Sequence, residues 1–403
     1  MAKTIVFCAD GTWNNPGQDD DQDGTPDPTN VWKLFRLLEG DDDDSTTLLG
    51  QEQEIVHKDS AGNLVQVAKY LHGVGDSKNP LVRALGGGLG AGIIARILRG
   101  YTFISRHYQK GDKVVLIGFS RGAYTVRSLA DFILNHGLLK PKAASSKEEA
   151  YRKAGAAWTE YRRQKFARQQ KPSLRERLDN IIEMLPGYLS KPVNSADFAA
   201  IETITAIGVW DTVGALGVPS YRQDAQDNVF QFADNVLSPR VEHGFHAVAM
   251  DEQRKAFEPT LWQPNKGQVV QVLFPGAHGD VGGGYTSKGK QSDLSDIALD
   301  WMITQLSGLN CIAFKQRAQI VPNPKGVAHQ PWNEGAWKIL PPTPRAFRHG
   351  LAHGIPLHGA VLGRLGQMTL ADPHAAPATY RPAPCVNCPQ AAMGTVSGCC
   401  SFA

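Results

Sequence analysis

The stretch that most constrains the fold is VVLIGFSRGAYTVR, residues 114–127. Four apolar residues, Val114, Val115, Leu116 and Ile117, run into Gly118-Phe119-Ser120-Arg121-Gly122, and a helical pattern follows. A short apolar run that ends at glycine reads as a strand buried on both faces. A strand that turns at once into a helix strains its middle residue, Ser120, and leaves no room for side chains two residues to either side. The serine Oγ then projects beyond the sheet edge, and the N–H of Arg121 points to the same place. The bare G-x-S-x-G pattern arises often by chance. Its weight here comes from the strand before it, the helix after it and the small Ala123. The bland alternative is a structural turn.

A chain of 403 residues, 42% hydrophobic and 20% charged, suits one large α/β domain with insertions, or two domains. The net charge of +3 gives no case for nucleic acid. No apolar run reaches the roughly 18 residues of a membrane span. The start, MAKTIVFC, reads as a first strand rather than a signal peptide. Synthesis in the cytoplasm is the expectation, with export open only by a route that reads no N-terminal signal. Of six cysteines, Cys385, Cys388, Cys399 and Cys400 lie in the last nineteen residues, so disulfides are not expected to staple the fold.

Strand patterns are expected at 4–8, 65–71, 113–117, 201–209 and 268–274. Helical patterns are expected at 29–38, 81–108 (interrupted by glycine), 121–135, 242–257 and 294–306. Residues 140–195 change character: Lys, Arg, Glu and Ala dominate, which suggests two or three inserted helices, either a cap over the site or a solvated excursion. After about residue 321 the chain is rich in Pro, Gly and His and reads as an irregular extension with a disordered, Cys-containing tail. Strands alternating with helices imply a doubly wound, mostly parallel sheet. Ligands of such sheets bind beyond the carboxyl ends of the strands. Asp10-Gly11-Thr12, His72-Gly73, Ser120, Asp211 and His278 all sit at such ends.

A serine hydroxyl is a poor nucleophile until a base takes its proton, and the base needs an orienting carboxylate. On a strand-to-helix elbow the chain order is Ser, then Asp or Glu, then His. Ser120, Asp211 and His278 offer that order. His278 follows a buried strand among small residues. His72 is the rival base, better suited to lining a loop. His243, His246, His349, His353 and His358 read as structural or exposed. A carboxylate buried at the end of an apolar strand costs several kcal/mol without a partner, and an imidazole N–H supplies one for Asp211. Asp251 and Asp280 are alternatives, with Asp280 better suited to fixing the glycine-rich turn after His278. Two backbone N–H groups would hold an oxyanion: that of Arg121, and one from the loop after the first strand, Gly11 or Thr12, with Asp10 shaping that loop.

Weaker motifs carry less. Asp10-Gly11-Thr12 resembles the start of a haloacid-dehalogenase-type phosphatase, but Cys8 stands where that motif needs a second Asp. The glycines of 86–92 lack the Gly-Lys-Ser/Thr of a P-loop. Asp19, Asp21, Asp23 and Gly24 copy the opening of a calcium loop, yet Asn30 replaces its closing Glu. The tail cysteines lack the strand or helix signals of a zinc site, and Cys400-Ser401-Phe402-Ala403 has a polar residue inside its prenylation-like box. No cofactor and no metal is expected.

Taken as an ordered set, FCADGTWNN (7–15), TNVWKL (29–34), GVGDS (73–77), GFSRGAYTVR (118–127), GVWDTVGALG (208–217), HAVAMDEQRKAFEPTLW (246–262) and PGAHGDVGGGY (275–285) are specific. They resemble an α/β-hydrolase domain family, long of unknown function, that includes the catalytic part of type VI secretion phospholipase effectors of the first lipase family. The resemblance covers about residues 4–305. It implies an α/β-hydrolase-like fold over 1–320 and a Ser–Asp–His triad at Ser120, Asp211 and His278. It also implies a lipid or small-ester substrate, contact with a membrane surface, and an immunity or secretion-apparatus protein as partner. Asp76 stands where the family often has Thr, and His72 where it often has Pro. Ester hydrolysis is therefore the coarser implication and phospholipid cleavage the finer one. A non-catalytic scaffold that binds a partner protein, and a hydrolase of amides, are the competing readings.

Overall fold

The computed structural model describes residues 2–12, 14–19, 22, 24–43, 52–73, 89–167, 194–214, 235–265, 267–316, 320–345, 355–369 and 377–382. Strand β1 (Thr4–Ala9) is buried at every position. Ile5, Phe7 and Ala9 face one apolar cluster and Val6 and Cys8 the other, so the strand reads as a continuous apolar run.

Helix α1 (Asn30–Leu37) follows, with the Thr29 side chain accepting a hydrogen bond from the N–H of Trp32, a cap worth about 1 kcal/mol. Next come the two-residue β2 (Asp41–Asp42), β3 (Glu52–Lys58) and β4 (Leu64–Leu71), then helix α2 (Leu89–His107). β5 (Lys113–Phe119) runs directly into helix α3 (Arg121–His136). β6 (Leu138–Leu139) and β7 (Phe198–Ala199) form a separate ribbon that flanks helix α4 (Lys147–Ala167). β8 (Ile204–Trp210), β9 (Val241–Ala249), β10 (Val269–Phe274), the short α5 (His278–Gly282) and α6 (Asp293–Ser307) complete the frame, and α7 (Gly359–Arg364) lies in the last part.

The main sheet has eight strands in the order β10-β9-β8-β5-β1-β4-β3-β2. β4, β1, β5, β8, β9 and β10 are parallel, while β3 and β2 add antiparallel hairpin strands at one edge. α2, α3 and α4 pack on one face and α1 and α6 on the other, so an α/β fold with a mostly parallel sheet is the observed architecture.

Two expectations need correction. Residues 242–257 are not a helix: 241–249 form β9 and only Lys255–Phe257 make a single 3-10 turn. Val241, Phe245, Val248 and Ala249 happen to match the i, i+4, i+7, i+8 helical template, but they divide among three clusters around a buried strand. β3 was not expected at all, because its Glu52, Glu54 and Lys58 mask its alternation. Glu52 and Glu54 are in fact buried against Lys69. Of the two or three helices expected at 140–195, the described part holds one long helix, and the rest of that expectation falls on residues 168–193, outside the described residues. Trp158 and Tyr161 of α4 pack on Phe132, roughly 18 Å along α3 from Ser120 by helix rise. This helix covers the far end of α3 rather than the serine.

The segment after 320 is irregular but docked. Leu273 of β10 donates its N–H to Pro356 O (2.9 Å) and accepts from His358 N (2.9 Å), so residues 356–358 line the outer edge of β10. Among the described residues no helix is long and apolar enough to cross a membrane. The four tail cysteines lie outside the described residues.

Candidate active site

Phe119 of β5 and Trp210 of β8 are register partners, so Ser120 and Asp211 leave their adjacent strands at the same level. The N–H of Ser120 donates to Trp210 O at 3.1 Å. Both residues have positive φ, +57° at Ser120 and +35° at Asp211, a conformation non-glycine residues adopt only where surrounding structure imposes it. At Ser120 the cause is visible in its glycine neighbours. A Cβ at Gly122 would stand 2.1 Å from Ala9 O, and one at Gly118 would stand 2.6 Å from Gly122 O. The first turn of α3 thus presses against the end of β1 with no spare space.

His278 opens α5, just beyond β10. Its Nδ1 lies 2.6 Å from Asp211 Oδ2. Asp211 Oδ1 accepts the N–H of Ala249 at 2.9 Å. Burial would raise the Asp211 carboxyl, but Arg345 and His278 overturn that and hold it far below the ordinary carboxylate value. Burial lowers His278, and Asp211 and Glu252 only partly offset this, so the imidazole stays below its ordinary value. The Phe119 ring lies 4.5 Å from the His278 ring, and Phe257 meets that ring edge-on at 4.9 Å. The structure therefore joins Asp211 to His278 directly. Among the described residues no hydrogen bond runs from Ser120 Oγ to the ring.

The loop after β1 is built around Asp10. Its carboxylate accepts from Tyr70 OH (2.5 Å), Thr29 Oγ1 (2.8 and 2.9 Å) and the N–H of Gly11 (2.7 Å). Burial pushes this carboxyl up to about 6 despite those donors and Arg96. The Gly11 amide is thus turned toward Asp10. Thr12, the other residue expected to donate there, is buried.

The remaining candidates have structural places. His72 follows β4 with its ring 5.5 Å from Tyr70. His246 is fully buried in β9, accepting the Thr212 N–H at 3.1 Å and contacting Gln271 at 3.2 Å, and burial lowers it to about 3. His243 stacks on Phe245, and His358 caps α7; His349 and His353 lie outside the described residues. Asp251 accepts from the Gly276 N–H (2.6 Å) and Tyr380 OH (2.7 Å). Asp280 accepts from the Ala277 N–H (2.8 Å), fixing the turn before His278, and from His329 Nδ1 (2.6 Å). Asn30, at the calcium-loop closing position, donates instead to Val281 O and Ser295 O. Among the described residues no three His, Cys, Asp or Glu side chains gather as a metal site.

Sequence reasoning missed three groups beside His278. Glu252 is fully buried, accepts the His278 N–H at 3.2 Å and pairs with Arg254 at 2.8 Å. The Arg254 guanidinium lies 3.7 Å over the Phe257 ring, and Trp337 meets Phe257 at 5.7 Å. Arg345, 4% exposed, forks onto Asp211 through Nη1–Oδ1 (2.8 Å) and Nη2–Oδ2 (2.9 Å). Glu252 lies within the HAVAMDEQRKAF motif and could have been flagged there. Arg345, in a proline-rich run, carries no local signal.

These observations define a class: an α/β protein with a serine on a strand-to-helix elbow, beside a buried carboxylate–imidazole pair at one sheet edge. The chain belongs to the family described as T6SS, phospholipase effector Tle1-like, catalytic domain, whose model matches residues 3–305. It is 27% identical over 268 residues to an uncharacterized protein of Saccharomyces cerevisiae, covering 65% of this chain and 33% of that one. Among solved structures, an uncharacterized protein from Pseudomonas aeruginosa aligns with a TM-score of 0.39 and 17% identity, over 80% of this chain and 48% of that chain. The Vlm2 thioesterase domain aligns with a TM-score of 0.26 and 11% identity, over 77% and 94%. The chain spans a third of the length of the curated relative and about half that of the P. aeruginosa protein.

Proposed function

We propose that the chain is a serine hydrolase of α/β-hydrolase type that cleaves carboxylic esters of lipids, with phospholipids as the finer candidate substrate. Ser120 Oγ attacks the ester carbonyl. His278 Nε2, the ring nitrogen not held by Asp211, takes the serine proton and later gives one to the leaving alcohol. Asp211 orients the ring and stabilises the imidazolium. The first-turn N–H of Arg121 and one N–H of the Gly11–Thr12 loop hold the oxyanion, each donor worth roughly 3 kcal/mol of barrier. With the Gly11 amide turned to Asp10 at 2.7 Å, Thr12 is the better-fitting second donor. Water then hydrolyses the acyl-enzyme by the same proton transfers in reverse.

The observation that carries this reading is the 2.6 Å contact between His278 and Asp211 at the level of the Ser120 elbow. The serine–imidazole contact of such enzymes is often long without substrate and tightens on binding. Membership of a phospholipase effector family supports a lipid substrate, contact with its bilayer, export, and an immunity protein as partner. The test is hydrolysis of short- and long-chain p-nitrophenyl esters and phosphatidylglycerol by wild type and Ser120→Ala, with fluorophosphonate labelling alongside. Loss of both turnover and labelling in the variant is expected; full activity without Ser120 rejects the proposal.

A further inference from the structure

We propose that Arg345, supplied by the segment beyond residue 305, is a positioning residue that holds the Asp211 carboxylate in the orientation His278 uses. This rests on the serine-hydrolase reading above. The guanidinium meets both carboxylate oxygens in parallel, at 2.8 and 2.9 Å, and both side chains are buried. Such a fork fixes the plane of a carboxylate as a single point charge cannot. The guanidinium is itself anchored: Nη1 donates to Ala249 O at 2.6 Å, and Nη2 donates to Phe257 O. With Ala249 N on Oδ1 and His278 Nδ1 on Oδ2, the carboxylate is bonded on every side.

The arrangement has an electrostatic consequence of definite sign. A lone carboxylate beside an imidazole favours the imidazolium, because the two charges cancel. Arg345 already cancels the charge of Asp211, so the proton gains less by sitting on His278. The groups that face His278 are Asp211 at the end of β8, Glu252 and Arg254 after β9, and Arg345 behind Asp211. Asp280 lies on the same short helix and is engaged by His329. Removing the arginine leaves Asp211 and Glu252 facing the ring with Arg254 alone to balance them. The imidazolium then persists to higher pH, and the base is idle over a wider acid range.

The test compares pH profiles of ester hydrolysis by the purified full chain, wild type against Arg345→Gln, Arg345→Lys and Ser120→Ala. Folding is checked by circular dichroism. The wild-type acid limb is expected below the ordinary imidazole value of about 6.5. In Arg345→Gln it moves up by on the order of one pH unit, and kcat falls about tenfold to a hundredfold with KM little changed. Arg345→Lys keeps the charge but not the fork, so its limb stays near wild type while kcat is only partly restored. A folded Arg345→Gln protein with the wild-type limb overturns the role of Arg345. If that variant fails to fold, Arg345→Lys decides: wild-type kcat, or a displaced limb, overturns it, as does a wild-type limb at or above 6.5. Turnover surviving in Ser120→Ala overturns instead the hydrolase reading, whatever Arg345 does.

Discussion

Two stretches of chain meet around Asp211, and they are written differently. The stretch from Lys113 to Gly122 is an apolar strand, a glycine-bounded elbow and a helix start, each recorded in the spacing of its residues. The stretch ending at Arg345 is proline-rich and lacks any period, yet its arginine is as buried as the core and closes on both oxygens of Asp211. In the first, steric limits at Gly118 and Gly122, the latter set by the end of β1, determine the geometry. In the second, one long-range ion pair does, in a chain that is irregular but buried again at Val327, His329 and Trp332. The surroundings of Asp211 are built both by a segment that folding rules read and by one they do not.

The contrast implies a ranking of mutational costs. The strand-end pair stands first: Asp211→Asn leaves the shape but removes the charge that orients the ring, and should lower kcat about 10⁴-fold in ester hydrolysis. A loss of less than tenfold would detach Asp211 from the chemistry. Arg345→Ala comes next, since it strands a buried carboxylate. Denaturant unfolding should show a loss of about 3–5 kcal/mol, and a loss under 1 kcal/mol would mean that the segment is only laid on the surface.

A third cost depends on pH. Burial holds the Asp10 carboxyl at about 6, against 3.8 for the free group, and Asp251 is likewise raised to about 6, by burial. For both, the folded chain binds the proton more tightly than the unfolded one. Their stabilisation is therefore full below about pH 4 and is lost as pH rises through about 6, each by at most about 3 kcal/mol. Unfolding free energy should fall across that window, and Asp10→Asn should make the fall shallower; an unchanged slope would refute the raised value for Asp10. The smallest effect belongs to Ile339, 85% exposed in the same segment as Arg345. Ile339→Ser should change unfolding free energy by less than about 0.5 kcal/mol. Together, Arg345 and Ile339 separate burial from mere membership of the segment.

The legibility of the sequence follows the same line. The ends of β1, β4, β5, β8 and β10 were readable because apolar runs stop at Asp, Gly or His. The pairing of Asp211 with His278 was readable because a buried carboxylate needs a donor and strand order brings these two to one edge. β9 was misread because its burial on two sides imitated a helical face. β3 was missed because its acids find their cations on other elements, in Lys69, Arg99 and Arg106. Arg345 and the Glu252–Arg254 pair share that character. Their partners lie far along the chain or across a turn, and no spacing records them. The Gly11 amide could not be foreseen because its direction depends on a carboxylate whose own orientation Tyr70 and Thr29 determine.

The run of chain at 356–358 also shields the sheet. It occupies the outward-facing amide and carbonyl of Leu273, where a parallel sheet would otherwise offer an unpaired rim to any other extended peptide. A protein clipped ahead of that run would expose a sticky margin, so proteolytic trimming there should show up first as self-association in light scattering.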